Sequence, residues 1–168
     1  AFAIPPGFAV AAVSNRAIEK SASVPGRGYY FDFQQFVKTE AKDQTPTTPS
    51  VPHIMALHYK CNMLLEEGME NVWKRHEAMA DYIRGWGVGQ GFEVFPQAGY
   101  ESNTLTCFKN TRGIDVAAVN KGLQEKHNVV FGNGYGKLKN ETFRIAHMGD
   151  VTIDELKELT GWIEEEIK

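Results

Sequence analysis

Ile54, Leu57, Cys61, Leu64, Leu65, Val72, Trp73, His76, Met79 and Ile83 recur at steps of three, four or seven, and no other pattern in the chain restricts its fold as much. That spacing lines one face of an α-helix, because residues three and four apart lie above one another on its surface. A run of this length makes one long helix or two in succession, and Gly68 is the place to bend or divide it. Pro49 and Pro52 suit its entrance, where a missing amide proton costs little.

On either side the pattern changes. Residues 8–13 form a continuous apolar run that reads as a strand buried on both faces, followed by a short helix over 14–23 and turn residues at 24–28. Tyr29, Tyr30, Phe31, Phe33 and Phe36 are read as packing aromatics, on a segment whose second half is helical. Gly85, Gly87, Gly89 and Gly91 predict a loop, after which residues 93–95, 104–108, 129–131 and 142–147 read as strands. Asp115 is the expected N-cap of a helix reaching about His127. Thr152 and Glu155 form a capping-box pattern that opens a last helix with Leu156, Leu159, Trp162, Ile163 and Ile167 as its stripe. Strands alternating with helices define an α/β or α+β layer.

Charge and composition exclude several function classes. Eighteen basic and 21 acidic residues are interspersed, with a net charge of −3, so no basic footprint for nucleic acid or an anionic membrane is present. Cys61 and Cys107 lie far apart and form no C-x-x-C pair, which fits small core residues in a reducing compartment. The five histidines make no H-x-x-x-H pair, so no metal site is expected. Pro5-Pro6-Gly7 and the lack of a basic leader argue against a signal peptide or membrane span and leave the cytoplasm as the expected location.

Three places carry candidate chemistry. Phe143 and Ile145 point to one face of a strand and Arg144 to the other. A guanidinium drawn out of water needs an anion, and its planar fork matches a carboxylate or phosphate through two parallel hydrogen bonds. Spacing alone leaves two readings open, a structural ion pair with an Asp or Glu elsewhere and a fork kept for a ligand. The glycine-rich run 132–137 fails the P-loop template, since Phe131 stands at the first glycine position and Leu138 follows Lys137. It also fails the dinucleotide fingerprint, and reads as a flexible β-connection. Thr45, Thr47 and Thr48 form a proline-stiffened lead into the long helix, where one threonine acts as a cap or hydroxyls and free amides together make an anion site.

Taken together, the opening residues 1–14 (AFAIPPGFAVAAVS), residues 44–57 (QTPTTPSVPHIMAL) and residues 141–150 (ETFRIAHMGD) resemble the class V, fold-type I, pyridoxal-phosphate aminotransferases, nearest the alanine–glyoxylate and serine–pyruvate branch. The resemblance runs from the first residue to the last. It implies the C-terminal part of that fold: residues 1–43 the end of the large cofactor-binding domain, and 44–168 a linking helix plus a small α/β (α+β) domain with a mixed or antiparallel sheet. It aligns Arg144 with the arginine that pairs with the substrate α-carboxylate. It aligns Thr48, and less closely Thr45 and Gln44, with residues that reach the phosphate of the cofactor across a homodimer, and it places Gly132 and Gly134 in a loop near the substrate.

The implied reaction moves an amino group from alanine or serine to glyoxylate or pyruvate. In the family the lysine that holds pyridoxal 5'-phosphate falls just before the Pro-Pro-Gly turn, here just before Ala1. Lys20, Lys38, Lys42 and Lys60 read as solvated helix lysines, so this chain alone is not expected to transaminate. A phosphoserine-type transaminase, drawing a second anion to Arg112, Lys137 or Lys139, and a non-catalytic small domain are the alternatives.

Overall fold

The computed structural model describes residues 2–168 and divides them into two compact units, the first spanning Ile4–Lys60 and the second made chiefly of Cys61–Lys168. In the first unit, helix α1 (Asn15–Ala22) starts where Ser14 accepts a hydrogen bond from the Ala17 amide. Helix α2 (Phe33–Glu40) starts where buried Asp32 accepts from Gln34 while Arg27 Nε lies 2.8 Å away. Hydrogen bonding from Arg27 holds the Asp32 carboxyl below its ordinary range.

The boundary between the units falls inside helix α3 (Val51–Glu67), and helix α4 (Met69–Gly89) follows after Gly68. Gly68 has φ +82, a conformation glycine takes without steric cost, which is why the long periodic run divides there. The glycine loop expected from residue 85 is overturned, because α4 continues through Gly85, Gly87 and Gly89. A Cβ on Gly87 would overlap the edge of the Phe108 ring, so close packing, not a turn, accounts for this glycine. The helix yields only at Gly91, with φ +84.

The second unit is built on a four-stranded antiparallel sheet, order β1-β2-β4-β3: β1 (Glu93–Val94), β2 (Leu105–Lys109), β3 (Gly132–Asn133) and β4 (Thr142–Ala146). Helix α5 (Val116–His127) joins β2 to β3, capped by Asp115, which accepts from Ala117 and Ala118. Helix α6 (Ile153–Glu166) closes the chain behind a complete Thr152/Glu155 capping box. Alternation along β2 and β4 turns Phe108, Phe143 and Ile145 into a core shared with Met79 and Ile83 of α4, Leu123 of α5 and Leu156 and Ile163 of α6. The opposite face carries Leu105, Cys107, Lys109, Thr142, Arg144 and Ala146, of which Thr142 alone is buried.

Two further expectations are corrected. Residues 8–13 form no strand. A strand of that kind needs hydrogen-bonded neighbours on both edges, and no strand among the described residues pairs with it; Val10 is exposed and the Phe8 ring stacks on His53 instead. The strand expected at 129–131 is displaced to Gly132–Asn133, because the Asn120 side chain takes both backbone groups of Phe131, accepting from its N–H at 2.8 Å and donating to its carbonyl at 2.9 Å. Tyr29, Tyr30, Phe31, Phe33 and Phe36 are exposed in this chain.

His147 is the one fully buried histidine among the described residues, with Nε2 2.8 Å from Thr106 Oγ1 and no partner for Nδ1. Burial, aided by the charges of Arg84 and His76, holds its pKa below the ordinary 6.5. The unfolded chain therefore binds a proton here more readily than the folded one. The stability conferred by neutral His147 is whole above the unfolded value and is lost as pH falls through the folded one. We expect the unfolding free energy to drop as pH falls below the ordinary value of 6.5, and His147→Gln to flatten that slope. Urea unfolding at a series of pH values checks this, and parallel pH profiles for the two proteins would refute it.

Candidate functional site

Two arginines of the second unit show the difference between a structural pair and an open fork. Arg75 grips Glu67 with two nitrogens, at 2.8 and 3.1 Å, and donates its third to the Gly149 carbonyl at 3.0 Å. Its guanidinium is spent, and the hydrogen bonds from Arg75 hold the Glu67 carboxyl below its ordinary range. Arg144 has no carboxylate partner among the described residues. Nη2 donates to the Asn133 carbonyl at 2.9 Å, and Nε is enclosed with no acceptor.

The sheet explains this placement. Gly132 stands directly opposite Arg144 in the ladder, on the same face, and Cys107 stands opposite it on the other side. A Cβ on Gly132 would lie 3.1 Å from Arg144 Nη2 and 3.3 Å from Nε, so a side chain there would crowd the guanidinium. Burial pushes the Cys107 thiol up, against a hydrogen bond with Thr142 and the charge of Arg144, so it remains a neutral neighbour.

The connection from β3 to β4 is held by two asparagines. Asn133 Nδ2 donates to Asn140 Oδ1 at 2.8 Å, and Asn133 Oδ1 accepts from the Asn140 and Gly134 amides at 2.9 and 2.7 Å. Asn140 adopts φ +66, which its short polar side chain tolerates better than most. The clasp aims the Asn133 carbonyl at Arg144. Beyond it Tyr135, between Gly134 and Gly136, carries the Arg144 Cζ 4.3 Å from its ring centre. Hydrogen bonding from Arg144, and then its charge, lowers the Tyr135 phenol below its ordinary range.

Gly132, Gly134 and Arg144 are thus brought together in one unit, whereas Gln44, Thr45 and Thr48 belong to the other. Residues 43–49 line a shallow open depression, in which Gln44, Thr45 and Thr48 are all exposed. The Thr45 hydroxyl is turned inward, donating to the Thr47 carbonyl at 2.7 Å. The expected threonine cap is replaced by Ser50, whose carbonyl accepts the first turn's Ile54 amide at 3.1 Å. Pro52 has no amide proton and the Val51 amide is bonded to the Pro49 carbonyl, so anion binding here rests on side chains more than on helix amides. Thr48 and Gln44 fit as donors to a phosphate. Thr45 fits after giving up its internal bond, and Asp43 on the same rim opposes an anion.

Of the other basic residues, Arg112 is occupied, donating to the Gln90 and Ile167 carbonyls over the Phe92 ring. Lys60 is buried, contrary to the expectation of a solvated lysine; its four-carbon stem suits such a position. Sequence reasoning missed Asn133, Tyr135 and Asn140. Their signal was present as an aromatic between two glycines, flanked by asparagines, next to a strand that carries an arginine.

No family model matches the chain. Its sequence is nevertheless similar to known aminotransferases, as is its fold. An uncharacterized aminotransferase of Methanocaldococcus jannaschii is 38% identical over 149 residues, 88% of this chain and 39% of that protein. The serine–glyoxylate aminotransferase of Hyphomicrobium methylovorum is 30% identical over 151 residues, 88% of this chain and 37% of that protein. The crystal structure of alanine–glyoxylate aminotransferase from Nostoc sp. superposes with a TM-score of 0.83 at 25% identity, over 92% of this chain and 42% of that one. The chain belongs to the class V aminotransferases. It spans less than two-fifths of the length of these two curated relatives. Among the described residues no helix is long and apolar enough to cross a membrane.

Proposed function

We propose that this chain supplies the substrate-carboxylate site of a pyridoxal-phosphate-dependent aminotransferase that moves an amino group from alanine or serine to glyoxylate or pyruvate. The observation that carries the reading is the Arg144 fork, which has no carboxylate partner among the described residues and lies on the sheet face away from the core. The substrates named for the serine–glyoxylate and alanine–glyoxylate relatives support the choice of small amino and 2-oxo acids. Residues 1–43 then form the end of a large cofactor-binding domain and 44–168 the linking helix and small domain. Thr48, with Thr45 and Gln44, reaches the cofactor phosphate of the partner in a homodimer. The cofactor, when bound, supplies the electron sink for the bond broken at the substrate Cα. Arg144 fixes the carboxylate, and with it the direction in which the remaining Cα bonds point. No lysine of this chain is assigned the catalytic role.

Titration of the 15N-labelled protein with pyruvate and glyoxylate, following the arginine Nε–H signals, tests the reading. A charge-assisted pair is worth about 1.5–3 kcal/mol, so Arg144→Gln is expected to weaken carboxylate binding at least about tenfold. Equal affinity in the two proteins would sink the assignment.

A further inference from the structure

We propose that Tyr135 is a positioning residue for Arg144, its ring supporting the guanidinium so that a carboxylate meets the fork edge-on. The inference rests on the reading of Arg144 as a carboxylate site. Its starting point is how the guanidinium is enclosed. The Gly132 backbone lies against the side where Nε and Nη2 sit, the Asn133 carbonyl takes a proton of Nη2, and Nε is shut away without an acceptor. Tyr135 supplies the aromatic surface, its ring centre 4.3 Å from Cζ. Among the described residues the guanidinium's other neighbour is the Tyr135 side chain, met through the ring and the hydroxyl.

The stack and the carboxylate do not compete. A ring attracts a cation through its π face, whereas a carboxylate pairs with N–H groups in the guanidinium plane. Tyr135 can therefore stay in place while the anion binds, keep water from part of the guanidinium, and restrict the rotamers of a long side chain that otherwise loses entropy on binding. The connection is built to present the ring in this way. Gly136 has φ +54, which lets the chain turn directly after Tyr135, and the Asn133–Asn140 clasp fixes the other side. Tyr135 is itself 77% exposed, so burial in the core does not account for the aromatic at this position.

Exposed cation–π contacts are worth about 0.5–1 kcal/mol, which corresponds to a change in affinity of about two- to fivefold. Pyruvate is the probe, titrated into the wild-type protein and into Tyr135→Leu, Tyr135→Phe and Arg144→Gln. Tyr135→Leu is expected to raise the Kd for pyruvate by that factor, and Tyr135→Phe to restore it. Without ligand, the Arg144 side-chain signals should lose their ring-current shift in the leucine variant and keep it in the phenylalanine variant, a change that a general loss of stability does not produce. If Arg144→Gln loses pyruvate while Tyr135→Leu binds as wild type or more tightly, the role of Tyr135 is overturned and the carboxylate fork stands. If the wild type ignores pyruvate, or Arg144→Gln binds it equally well, the fork reading fails and this inference falls with it.

Discussion

Phe143→Ala is expected to cost about 3–5 kcal/mol of folding free energy, the usual range for removing a buried phenylalanine ring. Phe143 is fully buried, and its ring centre lies 4.8 Å from that of Phe92, 5.3 Å from Phe108 and 5.4 Å from Phe131. These three neighbours come from different parts of the second unit, so collapse of one does not fill the space for the others. Phe108 is further confined by Gly87, where α4 already lies against its ring. Cavity cost should therefore sit at the upper part of the range. Urea unfolding measures it, and a loss below about 1 kcal/mol would mean that the aromatic cluster repacks freely. Arg144, the next residue, points to the other face, so folded Phe143→Ala should still bind pyruvate.

The elements that the sequence made legible are those specified within a few residues. Asp115 caps α5 through amides two and three positions on, the Thr152/Glu155 box caps α6 in the same way, and Gly68 divides the periodic run by its own φ. Where expectation failed, a distant partner decided. Gly87 resembles loop glycine until Phe108 is set against it, and residues 129–131 resemble a strand until Asn120 takes the backbone of Phe131.

The candidate site divides along the same line. A single charge in an alternating apolar strand marks Arg144 from sequence alone, because period-two alternation fixes its face. How the guanidinium is held is set by β3 crossing opposite it, by the Asn133–Asn140 clasp and by the Tyr135 ring, and none of these follows from the residues next to Arg144. The threonine segment shows the converse. Its composition suggests three hydroxyl donors, while the fold spends the Thr45 hydroxyl on the Thr47 carbonyl.

Gly134→Ala is expected to damage fold and site together. A Cβ there would overlap the Leu138 carbonyl oxygen and lie 2.6 Å from Thr142 Oγ1. Neither neighbour can withdraw cheaply, since one is backbone and the other belongs to a buried threonine of β4. Nor can Gly134 retreat, because its amide donates both to the Thr142 carbonyl at 2.9 Å and to Asn133 Oδ1 at 2.7 Å. Overpacking of this kind costs about 1–3 kcal/mol and at times more, and here relief requires the β3–β4 connection to move. That movement displaces the Asn133 carbonyl and Tyr135, so the folded fraction should bind pyruvate at least as weakly as Tyr135→Leu. Gly122→Ala provides the contrast. Its Cβ would also be crowded, but only by the carboxylate end of the Glu166 side chain, which can swing away. Replacing glycine within a helix gains up to about 1 kcal/mol, so Gly122→Ala should be near neutral in urea and unchanged in pyruvate binding. Comparable losses in the two variants would show that crowding at Gly134 is not what sets the connection and, through it, the fork.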